Sequence, residues 1–557
     1  MKRAFILTVG LLATGFASWA QQPPSLIIGN ANEETREAAL EATLGQMRPQ
    51  TPQPLGFTVP STPIAEAITP DIQALARGLE NDPLRIFNYV HDHIRHVLYF
   101  GSKKGAELTL LEKSGNDFDQ CALLVALLRA AGYTNTVYQF GWMEMPYDSS
   151  SDHKDLHHWL QLSLVNTNWN YTSNYLRSLV YGIRGYPATA AIWGGNTFAF
   201  QRLWVKLTVG STNYFLDPSF KVSEPIANLF SLTNAMQFGS NSLMSAAQGT
   251  DTGYSITGLS ESAVRGSLTG YTTNLLNYIQ TNYPNASVAQ VLGGWQIVPS
   301  TNTTLSLAPQ FTTYEWGGTM PILTWTNQPT ELMSTLYVYF LGTYWGWYIP
   351  SLQGQRLTLT FDSYGEGVLW QEDNYLTWGY AYNYAYTDVA TYVHHPVGYW
   401  DTNANSYVET YAFDQTTTNA FQDYSDYSSY SWTTYNLMYA FEPDWGWLQQ
   451  RQDKLDSYRQ QGYADYSFDV VSETLNVMSL NYALQTWSIQ QIQAAQMGIL
   501  PQNYNLMGRM GQETGNGYYF DIFLWKPGDY SSGGADAANS DRLARDSGVL
   551  TLSLIHI

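Results

Sequence analysis

A single cysteine stands among 557 residues, so no disulfide can form within the chain. Basic residues are also scarce: 26 Lys and Arg face 46 Asp and Glu, a formal net charge of −20. A chain this acidic repels phosphate backbones, which argues against nucleic acid as a partner. Beyond the first twenty residues no run is apolar for long enough to span a bilayer, so no membrane span is expected. Stability must therefore come from buried apolar surface, for which 44% hydrophobic residues are ample.

The N-terminus reads as an export signal. Lys2 and Arg3 precede the apolar stretch "AFILTVGLLATGF", and small residues lead to a cleavage position after Ala20. Removing that segment would make the mature chain two charges more acidic. The expected localisation is periplasmic, cell-surface or extracellular. At the other end, "LSLIHI" (Leu552 to Ile557) resembles the translated end of a sequencing adapter, which implies a truncated fragment.

Between these ends the pattern divides into segments. Residues 21–70 are proline-rich and read as a linker. Helical periodicity begins near Ile72, with Ile86, Val90 and Ile94 on one face of "DPLRIFNYVHDHIRH". Leu203, Val205 and Leu207 alternate with more polar neighbours, and "GSTN" then supplies a hairpin turn. Residues 71–225 are thus one mixed domain. The stretch 226–300 is polar connecting structure with some helix, and 301–440 is a Tyr- and Trp-dense β region. A helix pair spans 441–500, and 501–557 restarts β-structure.

Chemistry depends first on the lone thiol in "GNDFDQCALLVALLRAAG". From Cys121 to Leu128 the chain is apolar without interruption, as in a helix buried all round. Asp117 is the expected N-cap, with Gln120 reaching back. Cys121 then lies one turn past the positive end of the helix, where burial raises a thiol pKa rather than lowering it. On these grounds it is a structural residue.

The segments "IFNYVHDHI", "GNDFDQCALLVALLRAAGY" and "LWVKL…FLDPSF", in this order, resemble a transglutaminase-like domain over about residues 80–225. The variety most similar is found near the N-terminus of large exported bacterial proteins carrying Rhs or YD-type repeats. The resemblance implies an α+β, papain-like fold with a central buried helix on an antiparallel sheet. Active members use a Cys-His-Asp triad for acyl transfer or amide hydrolysis. Their cysteine lies twelve residues before the arginine of the "LLRA" motif, which here gives Asp117. Their histidine lies two residues before the strand tryptophan, which here gives Arg202. Only the acid is kept, as Asp217 of "LDPSF". A carboxylate cannot form a thioester, and a guanidinium is no base near neutral pH. The resemblance therefore implies a degenerate site that leans away from catalysis.

Other readings stay open at this level. Cys121 could serve a rearranged acyltransferase or peptidase site with His157 or His158 as base. His91, His93 and His96 do not share the i, i+4 face that a helical metal site needs. No cofactor or metal is expected. The aromatic β region could bind carbohydrate, and Glu366, Glu372 and Asp373 could act as the paired carboxylates of a glycosidase. The leading expectation is binding, display or assembly within a larger surface protein, through a protein or cell-surface partner.

Overall fold

The computed structural model describes residues 64–146, 158–159 and, with internal breaks, 197–525. The proposed signal, most of the linker, His157 and the C-terminal tail lie outside the described residues. Two compact units are distinguished. Residues 223–296 belong to one, and 33–222 with 297–547 to the other.

The larger unit opens with two helices whose starts are written in the sequence. Thr69 accepts the Ile72 N–H ahead of α1 (Pro70–Gly78), and Asp82 accepts the N–H groups of Leu84 and Arg85 ahead of α2 (Pro83–His93). Each has proline in its first turn, where the missing N–H costs nothing. A short strand β1 (Arg95–His96) follows, then α3 (Gly105–Glu112) and β2 (Ser114–Gly115), which runs parallel to β1.

Helix α4 (Asp117–Ala130) is the centre of this domain. Every residue from Asp117 to Leu128 is buried, and each fully buried leucine contributes about 1.5–3 kcal/mol. Its N-cap is Asn116, whose side chain accepts the Asp119 N–H at 2.9 Å. This corrects the sequence expectation, which put the cap at Asp117. Asp117 is instead the first helical residue, which frees its carboxylate for a tertiary role. Gln120 reaches back as expected, but as a donor to the Gly115 carbonyl at 2.6 Å.

The helix packs on an antiparallel sheet. Strand β3 (Thr136–Pro146) pairs along its length with β4 (Thr197–Val209), and β4 pairs with β5 (Thr212–Leu216) from Val205 onward. The β4–β5 turn needs only Gly210 and Ser211, and Gly210 has the positive φ of 60° that so tight a turn favours. Leu203, Val205 and Leu207 enter the same core as Leu123 to Leu128. This is the buried helix on an antiparallel sheet expected for a papain-like fold.

Downstream, two further antiparallel sheets share an apolar core. One carries Thr335–Phe340, Thr343–Tyr348, Val389–His394 and Thr417–Thr418. The other has six strands and includes Leu357–Phe361, Glu366–Gln371 and Thr433–Phe441. Leu336, Val338 and Phe340 of the first meet Leu357, Leu359 and Phe361 of the second. Helices α5 (Trp445–Gln460) and α6 (Phe468–Gln496) follow, and Leu480, Ala483 and Leu484 pack on Met438 and Ala440. No helix among the described residues is long and apolar enough to cross a membrane.

In the smaller unit, the region read as connecting holds a 22-residue helix, Glu261–Asn282. Leu275 and Ile279 of that helix pack with Ala235 and Val291 into a core of their own.

Candidate functional site

The N-terminal turn of α4 meets β4 at a particular place. Since β5 pairs with β4 only from Val205, the outward N–H and C=O of Leu203 have no strand partner on that side. Asp117 Oδ2 accepts the Leu203 N–H at 2.8 Å, and Cys121 Sγ donates to the Leu203 carbonyl at 3.5 Å. Residues four apart on a helix share a face. The two candidate nucleophile positions thus serve one strand residue, and each satisfies a backbone group that burial would otherwise strand.

Arg202, the next residue back on β4, is fully buried. Its guanidinium meets both oxygens of Asp217, Nη1 to Oδ2 at 2.8 Å and Nη2 to Oδ1 at 3.1 Å. Nη2 also donates to Ser219 Oγ at 2.5 Å, and that hydroxyl passes its own proton toward Asp217 Oδ1 at 2.8 Å. The Ser219 and Phe220 amides donate to the same oxygen at 3.2 and 3.1 Å. Asp217 follows β5 directly, so the strand end and the turn after it build this anion cradle together. The Arg202 guanidinium lies 4.6 Å from the ring centre of Trp159, whose indole N–H donates to the Ser219 carbonyl at 2.7 Å. A buried charge is costly unless so surrounded.

Burial pushes the Cys121 thiol well above its usual value, and the Asp217 and Asp117 carboxylates push it the same way, against Arg202 and Lys221. An activated thiol needs the opposite environment. Asp117, Cys121, Arg202 and Asp217 therefore do come together electrostatically, but around a thiol held neutral.

Two further residues were not marked by sequence reasoning, and a third was marked for another role. Lys221 is buried and donates to the Val90 and Ile94 carbonyls and to Gln120 Oε1, at 3.1, 2.5 and 2.7 Å. It ties the end of α2 to α4. Trp159, next to the candidate base His158, is itself buried. His96 is the third. Helix α2 ends at His93, so His96 does not share a helix with His91 and His93 but lies inside on β1 with 7% exposure. It stacks on Trp159 with ring centres 4.5 Å apart. The signal available was its position just beyond the periodic face of α2. Among the described residues no three His, Cys, Asp or Glu converge as a metal site would require.

The candidate carboxylates of the β region have other partners. Arg451 pairs with Glu372 and with Glu473, and Arg356 pairs with Glu473 and Asp373. Lys454 contacts Glu372 as well. Burial works to raise Glu372, but the hydrogen bonds and charges of Arg451 and Lys454 outweigh it and hold the carboxyl at about 2. A general acid would need the reverse. Glu366 is buried at 3% exposure on its strand.

A buried helix on an antiparallel sheet, with an acid cradle after the hairpin, defines an α+β domain of papain-like type. Comparison with protein families gives the same class: the model of the transglutaminase-like superfamily matches residues 66–172. A transglutaminase-like domain is therefore present. The matched region contains Asp117 and Cys121 and ends before Arg202 and Asp217. Neither the curated proteins nor the solved structures compared gave a match.

Proposed function

We propose that this domain keeps the transglutaminase-like fold without thiol catalysis, in an exported protein where it acts in binding, display or assembly at a surface. The observation that carries the reading is the Arg202–Asp217 ion pair. By resemblance these residues occupy the positions of the catalytic base and acid, and Asp117 occupies that of the nucleophile. Each has a structural partner where an active enzyme would need a reactive group. Arg202 is held by Asp217 and Ser219, and Asp117 is held by the Leu203 amide. Export rests on the N-terminal pattern, and association with an Rhs or YD-type protein rests on the sequence resemblance alone.

The test is incorporation of a fluorescent alkylamine into a glutamine-bearing peptide, together with hydrolysis of the same peptide. Wild type and Cys121→Ser should both stay at the buffer background. Wild-type turnover removed by Cys121→Ser would instead establish the acyltransferase or peptidase reading.

One observation favours carbohydrate binding by the β region as a second role. Tyr339 and Tyr344 face each other across a hairpin, their ring centres 4.8 Å apart, and Tyr344 is 63% exposed. An exposed tyrosine ring beside a second suits a neutral sugar ring better than an anionic one in so acidic a chain. Retention on an insoluble neutral polysaccharide, lost in Tyr344→Ala, would support that role.

A further inference from the structure

His96 has a local setting that a core aromatic residue would not need. Both ring nitrogens are buried and have no hydrogen-bond partner among the described residues. The ring lies nearly flat on Trp159, with an interplanar angle of 24°, and the same indole carries the Arg202 guanidinium. A neutral imidazole normally has its N–H bonded when buried, since an unpaired polar group in a dry site is costly.

The charges around this ring come from four elements. Arg202 on β4 and Lys221 beyond β5 both act against a positive His96, and Lys221 Nζ binds the Ile94 carbonyl two residues upstream. The nearby carboxylates are engaged elsewhere. Asp217 holds Arg202, Asp117 on α4 holds the Leu203 amide, and Asp92 on α2 binds His91 and the Ser300 amide. No described acid receives a proton from His96.

We propose that His96 is an acid-responsive latch, closed while its imidazole is neutral and stacked on Trp159, and released when a proton places a third positive charge beside Arg202 and Lys221. Release parts the His96 ring from the Trp159 indole, unseats β1 from β2 and uncovers the Arg202–Asp217 pair. The latch has a direct reporter. Arg95 N–H donates to the Lys113 carbonyl at 2.7 Å and Val97 N–H to the Gly115 carbonyl at 3.1 Å, so both amides are protected only while β1 is seated on β2. Burial, Arg202 and Lys221 set the direction by pushing the imidazole well below its usual 6.5, so neutral pH keeps the latch closed.

The experiment is amide hydrogen exchange on the full chain between pH 7.5 and 4.5, corrected for the intrinsic pH dependence of exchange. Protection of peptides covering 95–97 should fall as pH drops below about 6.5, by up to tenfold per pH unit for one proton taken up. Peptides from α5 should not share that fall. His96→Phe, which stacks but cannot titrate, should abolish the response. The same pH response in His96→Phe, or no local response in the wild type, overturns the proposal. Should the Phe variant fail to fold, the wild-type profile decides alone, because a uniform loss across the chain also contradicts a local latch.

Discussion

Asp217 meets the Arg202 guanidinium with both carboxylate oxygens, at 2.8 and 3.1 Å, inside a domain where neither residue reaches solvent appreciably. Ser219 and two backbone amides complete the cradle, and Trp159 covers the guanidinium. Such an arrangement fixes the end of β5 against β4 and engages both charged groups with each other.

The thiol provides the first check. Cys121 is fully buried, bonded to the Leu203 carbonyl and pushed well above the usual thiol pKa. Alkylation by iodoacetamide at neutral pH should be slow in the folded protein and accelerate on unfolding. The rates are read from intact mass against time. Stoichiometric labelling of the folded chain that slows on denaturation would mark an activated thiol.

The start of α4 separates capping from tertiary bonding. Asn116→Ala removes the cap and should cost about 0.5–2 kcal/mol. Asp117→Ala leaves the buried Leu203 N–H without its acceptor and should cost about 1–3 kcal/mol. Asp117→Asn keeps an oxygen acceptor and should recover part of that loss. Urea denaturation of the three variants measures the order.

The ionic network between the second β region and the helix pair gives an acid limit. Glu372 is held at about 2 when folded, against 4.5 as the ordinary value. Its contribution is therefore fully present above pH 4.5 and is lost as pH falls toward 2. At one pKa unit per 1.36 kcal/mol the shift is worth on the order of 3 kcal/mol. Glu372→Gln should lower stability at neutral pH and flatten the profile between pH 4.5 and 2. An unchanged slope in that variant would show that Glu372 is not a source of the acid loss.

Much of this architecture could be read from residue patterns. The uninterrupted apolar run after Asp117 announces a helix buried on all sides, and Leu203, Val205 and Leu207 announce the strand it covers. As site residues, Asp117, Arg202 and Asp217 are reached only through the family resemblance, by counting from its motifs. What spacing could not show is where each side chain finds its partner. Asn116 and Asp117 are both good caps, and the choice falls to Asn116 because the Asp119 amide is within its reach while Leu203 takes Asp117. His96 lies three residues beyond the end of α2, where a short parallel strand turns it inward. Trp159 enters the core from a segment with no strong periodicity of its own. These placements are set by tertiary packing between distant segments, which a local pattern does not encode.

A double-mutant cycle on Arg202 and Asp217 tests the central claim most directly. Unfolding free energies would be measured for Arg202→Met, Asp217→Leu and the pair together. If the ion pair is a structural lock, each single variant strands a buried charge and should lose about 3–5 kcal/mol. The double variant should lose much less than the sum, because both charges leave together. Strictly additive losses, or single variants as stable as the wild type, would contradict the lock.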